Sequence, residues 1–324
     1  MGDFMFDCHY DLLTYIYMNK DNLKNVKKHF SKIFKRNITG GIFNLFYMSK
    51  EEMKRELGIE EKEINILQNL KDVEKLIKEF NLIPQNVNYV YGVEGLDYLD
   101  NIDDVSKLYD LGVRSVNIVW NNDNKFGGGT KGNNKRGLTS LGKELVEKLV
   151  DTNIAIDLSH ANEKTFYDII NFCTNLKNTG KTPKVFASHS NSKSICNNIR
   201  NLSDDQIIKI KELNGLIGVV SVKPFCIQEK RLHKCNLKYE KAYIEHIKHI
   251  KKLLNGVENI AVSTDDMTYY KISKRYYKHF NIFKQNKMKK RLEKLLLNNG
   301  FKQDEIEKIL YKNAQEFLFN NDVD

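Results

Sequence analysis

Cysteine, proline and long apolar runs are all scarce in this chain of 324 residues. The five cysteines, Cys8, Cys173, Cys196, Cys226 and Cys235, are odd in number, widely separated and free of any C-x-x-C pair. This argues against a disulfide framework or a four-cysteine zinc site and fits reduced thiols in a cytoplasm. Only 3 prolines and 18 glycines exclude collagen-like, proline-rich and Gly/Ser-linker compositions. No apolar run approaches the roughly 20 residues that a membrane span needs. The start, MGDFMFDCHYDLL, lacks a basic segment followed by an apolar stretch and a small-residue cleavage site, so no secretory signal is read there. A soluble, cytoplasmic, globular protein without membrane attachment is expected. The net charge of +10 comes mainly from lysines dispersed with glutamates over nearly every helical stretch. Such dispersion reads as solvated helix faces, so no nucleic-acid partner is expected.

What is present is a rhythm. Short β-branched and aromatic runs occupy 4–9, 38–48, 86–95, 113–120, 153–160, 184–190, 216–222 and 259–266, and helix-period segments follow them. The intervening helices are expected over 50–80, opened by a capping box at Ser49 and Glu52, and over 140–151 and 163–175. Two more should follow Ser203, with Gln206 closing its box and Gly215 ending it, and occupy 240–254. Eight near-continuous apolar strands alternating with helices argue for a parallel sheet. Eight such units in a chain of this size define an α/β fold, a (β/α)8 TIM barrel, as one domain over 1–324. A doubly wound open sheet is the competing architecture.

A barrel places its chemistry at the C-terminal ends of the strands. Reading the ends of the runs gives His9 and Asp11, then Glu94, Trp120, His160, His189, and finally Asp265 with Asp266. Three of only eight histidines fall at strand ends. Taken alone, His160 or His189 would read as a hydrogen-bonded core histidine, Glu94 as a turn residue and Asp265 as a helix cap. Together, imidazoles and carboxylates at one mouth have the composition of a metal site, and a carboxylate can bridge two ions. His9-x-Asp11 would point two ligands to one face by strand period. An acid directly after an apolar strand, as at Glu94, is costly to bury without a partner.

Other features read more simply. His246 and His249 lie one helical turn apart and are expected on a solvated face. Gly127-Gly128-Gly129-Thr130-Lys131 lacks the ending of a P-loop and is expected to give a long loop its freedom. The segment Tyr269 to Lys290, rich in aromatic and basic residues, is expected to be a loop and helix packed on the barrel.

Nearly the whole chain resembles the membrane (renal-type) dipeptidases, peptidase family M19, within the amidohydrolase-like metal-dependent hydrolases. The matching segments include FDCHYDLL, GVEGLDYL, LYDLGVRSVNIVWNNDN, IAIDLSHANEKTFYDII, FASHSNSKSICNNIRNLSDDQI and NIAVSTDD. The resemblance implies a (β/α)8 barrel with two zinc ions, one held by His9 and Asp11, the other by His160 and His189, with Glu94 bridging them. It implies that Asp265 lies beside the bridging water as the catalytic acid/base, and that Arg200 contacts a substrate's terminal carboxylate. Mammalian members have a substrate-contacting histidine where this chain has Trp120, followed by Asn121, and these two are the candidate substrate contacts here. The acid usually found two residues after the eighth-strand aspartate is displaced, giving Asp265-Asp266-Met267. Zinc-dependent hydrolysis of dipeptides, including those with a C-terminal D-residue, is the implied function, and a homodimer the implied assembly. Hydrolysis of a non-peptide amide or a lactone by the same paired metals is the alternative.

Overall fold

A computed structural model describes residues 4–34, 38–47, 53–54, 64–228, 237–266, 281–283 and 288–319. Eight strands, β1 (Phe6–Tyr10), β2 (Gly40–Phe46), β3 (Asn88–Glu94), β4 (Val113–Asn117), β5 (Ala155–Asp157), β6 (Val185–Ala187), β7 (Leu216–Val220) and β8 (Ile260–Ser263), lie within the eight apolar runs. They form a closed barrel in chain order. Every pairing is parallel, and β8 closes onto β1 with Val262 opposite Asp7. The open doubly wound sheet is thereby excluded. The strands read as continuous apolar runs because the barrel interior covers one face and helices cover the other.

Helices form where the periodicity and caps place them. Ser140–Asp151 starts at Thr139, whose hydroxyl accepts from the Gly142 amide. Glu163–Asn178 starts at Asn162, capping Thr165, and runs three residues beyond the expected end. Asp204–Glu212 carries the Ser203–Gln206 capping box in full. Leu237–Leu254 begins slightly before the expected 240. Of the expected 50–80 helix, Ile66–Phe80 is helical, opened by the Asn65 side chain accepting from Gln68; the Ser49 box lies outside the described residues. Most of the Tyr269–Lys290 segment also lies outside them, although Ile282 and Phe283 are buried, the latter edge-on to Tyr243 at 5.5 Å.

The N-terminal end of the barrel is plugged by apolar side chains. Phe6, Cys8, Ile42, Val90, Ala155, Phe186, Leu216 and Ala261 form one cluster with Ala314 and Leu318 of the terminal helix Asn313–Phe319. Rings cross the seam from Phe186 to Phe317 at 5.2 Å and from Phe6 to Phe319 at 6.2 Å. Asn313 fixes that helix by donating to the carbonyls of Val257 and Ile260 at 2.6 and 2.8 Å. Among the described residues no helix is long and apolar enough to cross a membrane.

Candidate metal centre

The opposite end of the barrel is polar. His9 lies in β1, where the pairing with β2 shifts register between Asp7 and Tyr10. Asp11 comes one residue beyond the strand, at the start of the helix Leu12–Met18. The two therefore converge through a strand irregularity and a helix entry, not through strict strand alternation. Glu94 ends β3, and Gly95 follows with φ +87°, left-handed backbone that a residue with a Cβ adopts only under strain. His160, His189 and Asp265 lie just past the ends of β5, β6 and β8. Asp265 is itself left-handed at φ +46°, and its amide donates to the His9 carbonyl at 3.0 Å. Backbone strain at a non-glycine residue persists only where its surroundings enforce it.

All six of these side chains are buried and meet in one place. Glu94 stands between two groups. Its Oε1 is 2.6 Å from His160 Nε2 and 3.6 Å from His189 Nε2, while Oε2 is 3.3 Å from His9 Nε2. Asp11 Oδ1 lies 3.6 Å from His9 Nε2. Glu94, His160 and His189 bring ligand atoms within 4.8 Å of one another, as do His9, Asp11 and Asp265. His160 and His189 turn their Nε2 atoms toward each other at 2.9 Å. His9 Nε2 and Asp11 Oδ1 are buried with no hydrogen-bond partner, which is costly unless a cation lies between them. Converging imidazole nitrogens with carboxylates on either side are a donor set for one or two borderline divalent ions. His9, Asp157 and His189 are also close enough to form a ligand group. Asp157, however, already accepts from Ser159 N, Ser159 Oγ, Ser188 N and Ser188 Oγ, so it reads as a support for the site.

The charges are strongly coupled to burial. Burial alone would raise Glu94, but His9 and His160 outweigh it and hold the carboxyl well below the ordinary carboxylate range. Burial pushes Asp265 up to about 7, with the neighbouring Asp11 and Glu94 charges adding to the rise against His9 and Arg200. Asp11 is likewise pushed by burial to about 6. Burial and then the Arg200 cation lower His160 to about 3, and burial with His9 and Arg200 holds His189 well below its ordinary value. His9 moves the other way: burial disfavours its charge, but Glu94 and Asp11 raise it well above its ordinary value. Neighbouring acids and bases pushed apart in this way are typical of a reactive site.

The candidate substrate contacts surround this cluster. Arg200 is half-buried, donating from Nε to the Ser159 carbonyl at 2.9 Å and reaching His189 Nε2 with Nη2 at 2.8 Å. Trp120 stacks on the His160 ring with centroids 5.8 Å apart. Asn121 turns its carboxamide oxygen to His160 Nδ1 at 3.1 Å, so it orients a candidate ligand.

Two expectations are corrected. His246 is fully buried. Its Nδ1 accepts from the Ser192 amide at 3.1 Å and its Nε2 donates to the Cys226 carbonyl at 3.2 Å, while His249 pairs with Asp204 at 2.8 Å. The helix turns the first of this pair inward, where the loop after β6 needs an acceptor. The glycines 127–129 do not serve loop freedom either. A Cβ on Gly129 would lie 2.3 Å from the Trp120 carbonyl, and one on Gly128 would lie 2.3 Å from Asn162 Nδ2. They are there for close packing, pinned by Gly128 N to Thr165 Oγ1 at 2.9 Å and Gly129 N to Asp123 Oδ1 at 3.1 Å.

Sequence reasoning missed the carboxylates beneath the site. Asp7 accepts from His9 N, Thr264 N and Thr264 Oγ1, joining β1 to the loop that carries Asp265. Asp157 does the same between β5 and β6. The signal was available: each is an acid inside an apolar strand, the feature that marked Glu94.

The closed eight-stranded (β/α)8 barrel gathers side chains that could hold a metal at the C-terminal mouth of its strands. Residues 3–320 match the family model of the membrane dipeptidases, peptidase family M19, and the chain belongs to that family. An uncharacterized dipeptidase of Schizosaccharomyces pombe is 27% identical over 58% of this chain and 43% of its own length. The matched stretches span 60%, 64% and 43% of three curated relatives. The fold is shared with the crystal structure of a metallopeptidase of family M19 called dipeptidase AC (TM-score 0.73, 19% identity, 97% of each chain). It is shared too with a metallopeptidase from Rhodobacter sphaeroides liganded with a phosphinate mimic of the dipeptide L-Ala-D-Ala (TM-score 0.72, 18% identity, 97% of this chain and 98% of that one).

Proposed function

We propose that this protein is a zinc-dependent dipeptidase with two metal ions, one held by His9 and Asp11, the other by His160 and His189, with Glu94 between them. The observation that carries the reading is the convergence of the His9, His160 and His189 Nε2 atoms on the two oxygens of Glu94. Family membership supports peptide-bond hydrolysis, and the R. sphaeroides protein's dipeptide mimic supports a two-residue substrate, including one with a C-terminal D-residue.

Ions bound there would lower the pKa of a shared water and polarise the scissile carbonyl. The side chains do the rest. Asp265, buried beside His9 and Asp11, is placed to take a proton from the attacking water and return it to the leaving amine. Arg200 pairs with the substrate's free carboxylate, bringing the peptide's C-terminus to the edge of the site. Trp120, stacked on His160, forms an apolar wall beside the scissile bond, and Asn121 keeps His160 in position. A contact to a nearby terminal carboxylate places the scissile bond beside the peptide's C-terminus and so favours short peptides.

The test is release of free amino acids from a panel of L-L and L-D dipeptides by zinc-reconstituted protein, with His160→Ala as control. Cleavage that disappears in the variant is the expected result. No cleavage by protein carrying two metals would overturn the peptide assignment and direct the search to other amides or lactones.

A further inference from the structure

Beneath the candidate ligands, one hydroxyl touches imidazoles from both halves of the site. Ser188 Oγ lies 2.6 Å from His189 Nδ1 and 3.1 Å from His9 Nδ1, and it donates to Asp157 Oδ2. Ser188 and Asp157 are both buried, Ser188 completely. A serine hydroxyl has one proton and two lone pairs. Asp157 takes that proton, because its carboxylate is the acceptor for all four of its neighbours. Ser159 cannot substitute as donor to Ser188: its hydroxyl is committed to Asp157 at 2.7 Å and accepts the His189 amide at 3.1 Å. Both ring contacts to Ser188 therefore run from Nδ1–H to the oxygen.

The opposite edge of His189 agrees independently. Arg200 Nη2 sits 2.8 Å from His189 Nε2, and a guanidinium only donates, so that nitrogen presents a lone pair and the ring proton is on Nδ1. The third imidazole is oriented separately, by Asn121 Oδ1 at 3.1 Å from His160 Nδ1.

We propose that Ser188, anchored on Asp157, is a positioning residue that sets the tautomer of one imidazole in each half of the metal centre and so supports the affinity for both ions. The proposal rests on the two-metal reading above. A histidine ligand held by its second nitrogen loses about 10–100-fold in metal affinity when that partner is removed. Ser188→Ala deprives His9 and His189 of their acceptor together, whereas Asn121→Ala deprives only His160.

The experiment is zinc titration of metal-free protein against a competing chelator for wild type, Ser188→Ala and Asn121→Ala. Two ions should bind wild type. Both affinities should fall about 10–100-fold in Ser188→Ala, and only one in Asn121→Ala. Retention of both affinities in Ser188→Ala, or loss of only one, would overturn the proposal. Failure of wild type to bind zinc would instead overturn the metal reading and this inference with it. Histidine proton–nitrogen correlation spectra of zinc-loaded wild type need no variant that folds. Nδ1–H signals from both His9 and His189 are expected, and an Nε2–H form of either ring contradicts the proposal.

Discussion

The two ends of the barrel are built from the same strands and are opposite in kind. At the N-terminal end Phe6, Ile42, Val90, Phe186 and Leu216 close the interior against the terminal helix with apolar contacts. At the C-terminal end the same strands deliver His9, Glu94, His160, His189 and Asp265 into a buried cluster of acids and imidazoles. Burial stabilises the first end and, without compensation, destabilises the second. The compensation is layered. Asp7 and Asp157 each gather backbone amides and hydroxyls from two strand ends, and the candidate ligand atoms above them are left facing one another.

Substitutions at each end should separate these roles. The largest effect is expected from Asp265→Asn, which would remove the proposed proton acceptor with little change in volume. Turnover of a cleaved dipeptide should fall about 10²–10⁴-fold, with the thermal midpoint nearly unchanged; unaltered kcat would remove Asp265 from its role. At the other end, Phe186→Ala should cost about 3–5 kcal/mol in denaturant unfolding. It should leave zinc affinity intact under conditions where the protein is folded, and a matching loss of metal would show that the two ends are not separable.

His246 provides an intermediate case, buried and polar yet outside the candidate site. Burial, with a smaller contribution from His249, lowers it to about 4 from an ordinary 6.5. The unfolded chain therefore takes up the proton first as pH falls. Its contribution to stability is complete above pH 6.5 and is lost progressively between 6.5 and 4, amounting to about 3 kcal/mol. Urea unfolding across that range should show the decline in wild type and a flatter profile in His246→Gln; equal slopes would contradict the assignment. The smallest effect is expected from Arg200→Ala. Loss of a charge-assisted contact worth about 1.5–3 kcal/mol should raise KM about 10–100-fold with a lesser change in kcat. A change confined to kcat would place Arg200 in the chemical step.

The ends also differ in how legibly the sequence encodes them. Strands such as LIGVV and NIAVS carry their burial in each residue, so the barrel follows from local pattern and number. His160 and His189 stand out because histidine is rare and strand ends are few. What local pattern conceals is pairing across strands. Nothing in the 31-residue separation of Asp157 and Ser188 announces that they share a proton, and the helical spacing of His246 and His249 does not say which of them turns inward. Glycines 127–129 looked permissive because glycine serves both turns and close packing, and only the neighbouring Trp120 carbonyl and Asn162 side chain distinguish the two. Asp11 reaches the cluster by a route that an HxD tripeptide does not show, since the register shift in β1 is invisible in it.

The central claim is that the polar mouth holds two metal ions around Glu94. An anomalous difference map from zinc-soaked crystals, recorded on both sides of the zinc absorption edge, tests it most directly. The account predicts two edge-dependent peaks, one among His9, Asp11 and Glu94 and one among Glu94, His160 and His189. A mouth without such peaks, or zinc found only at surface sites such as His249 and Asp204, would contradict it.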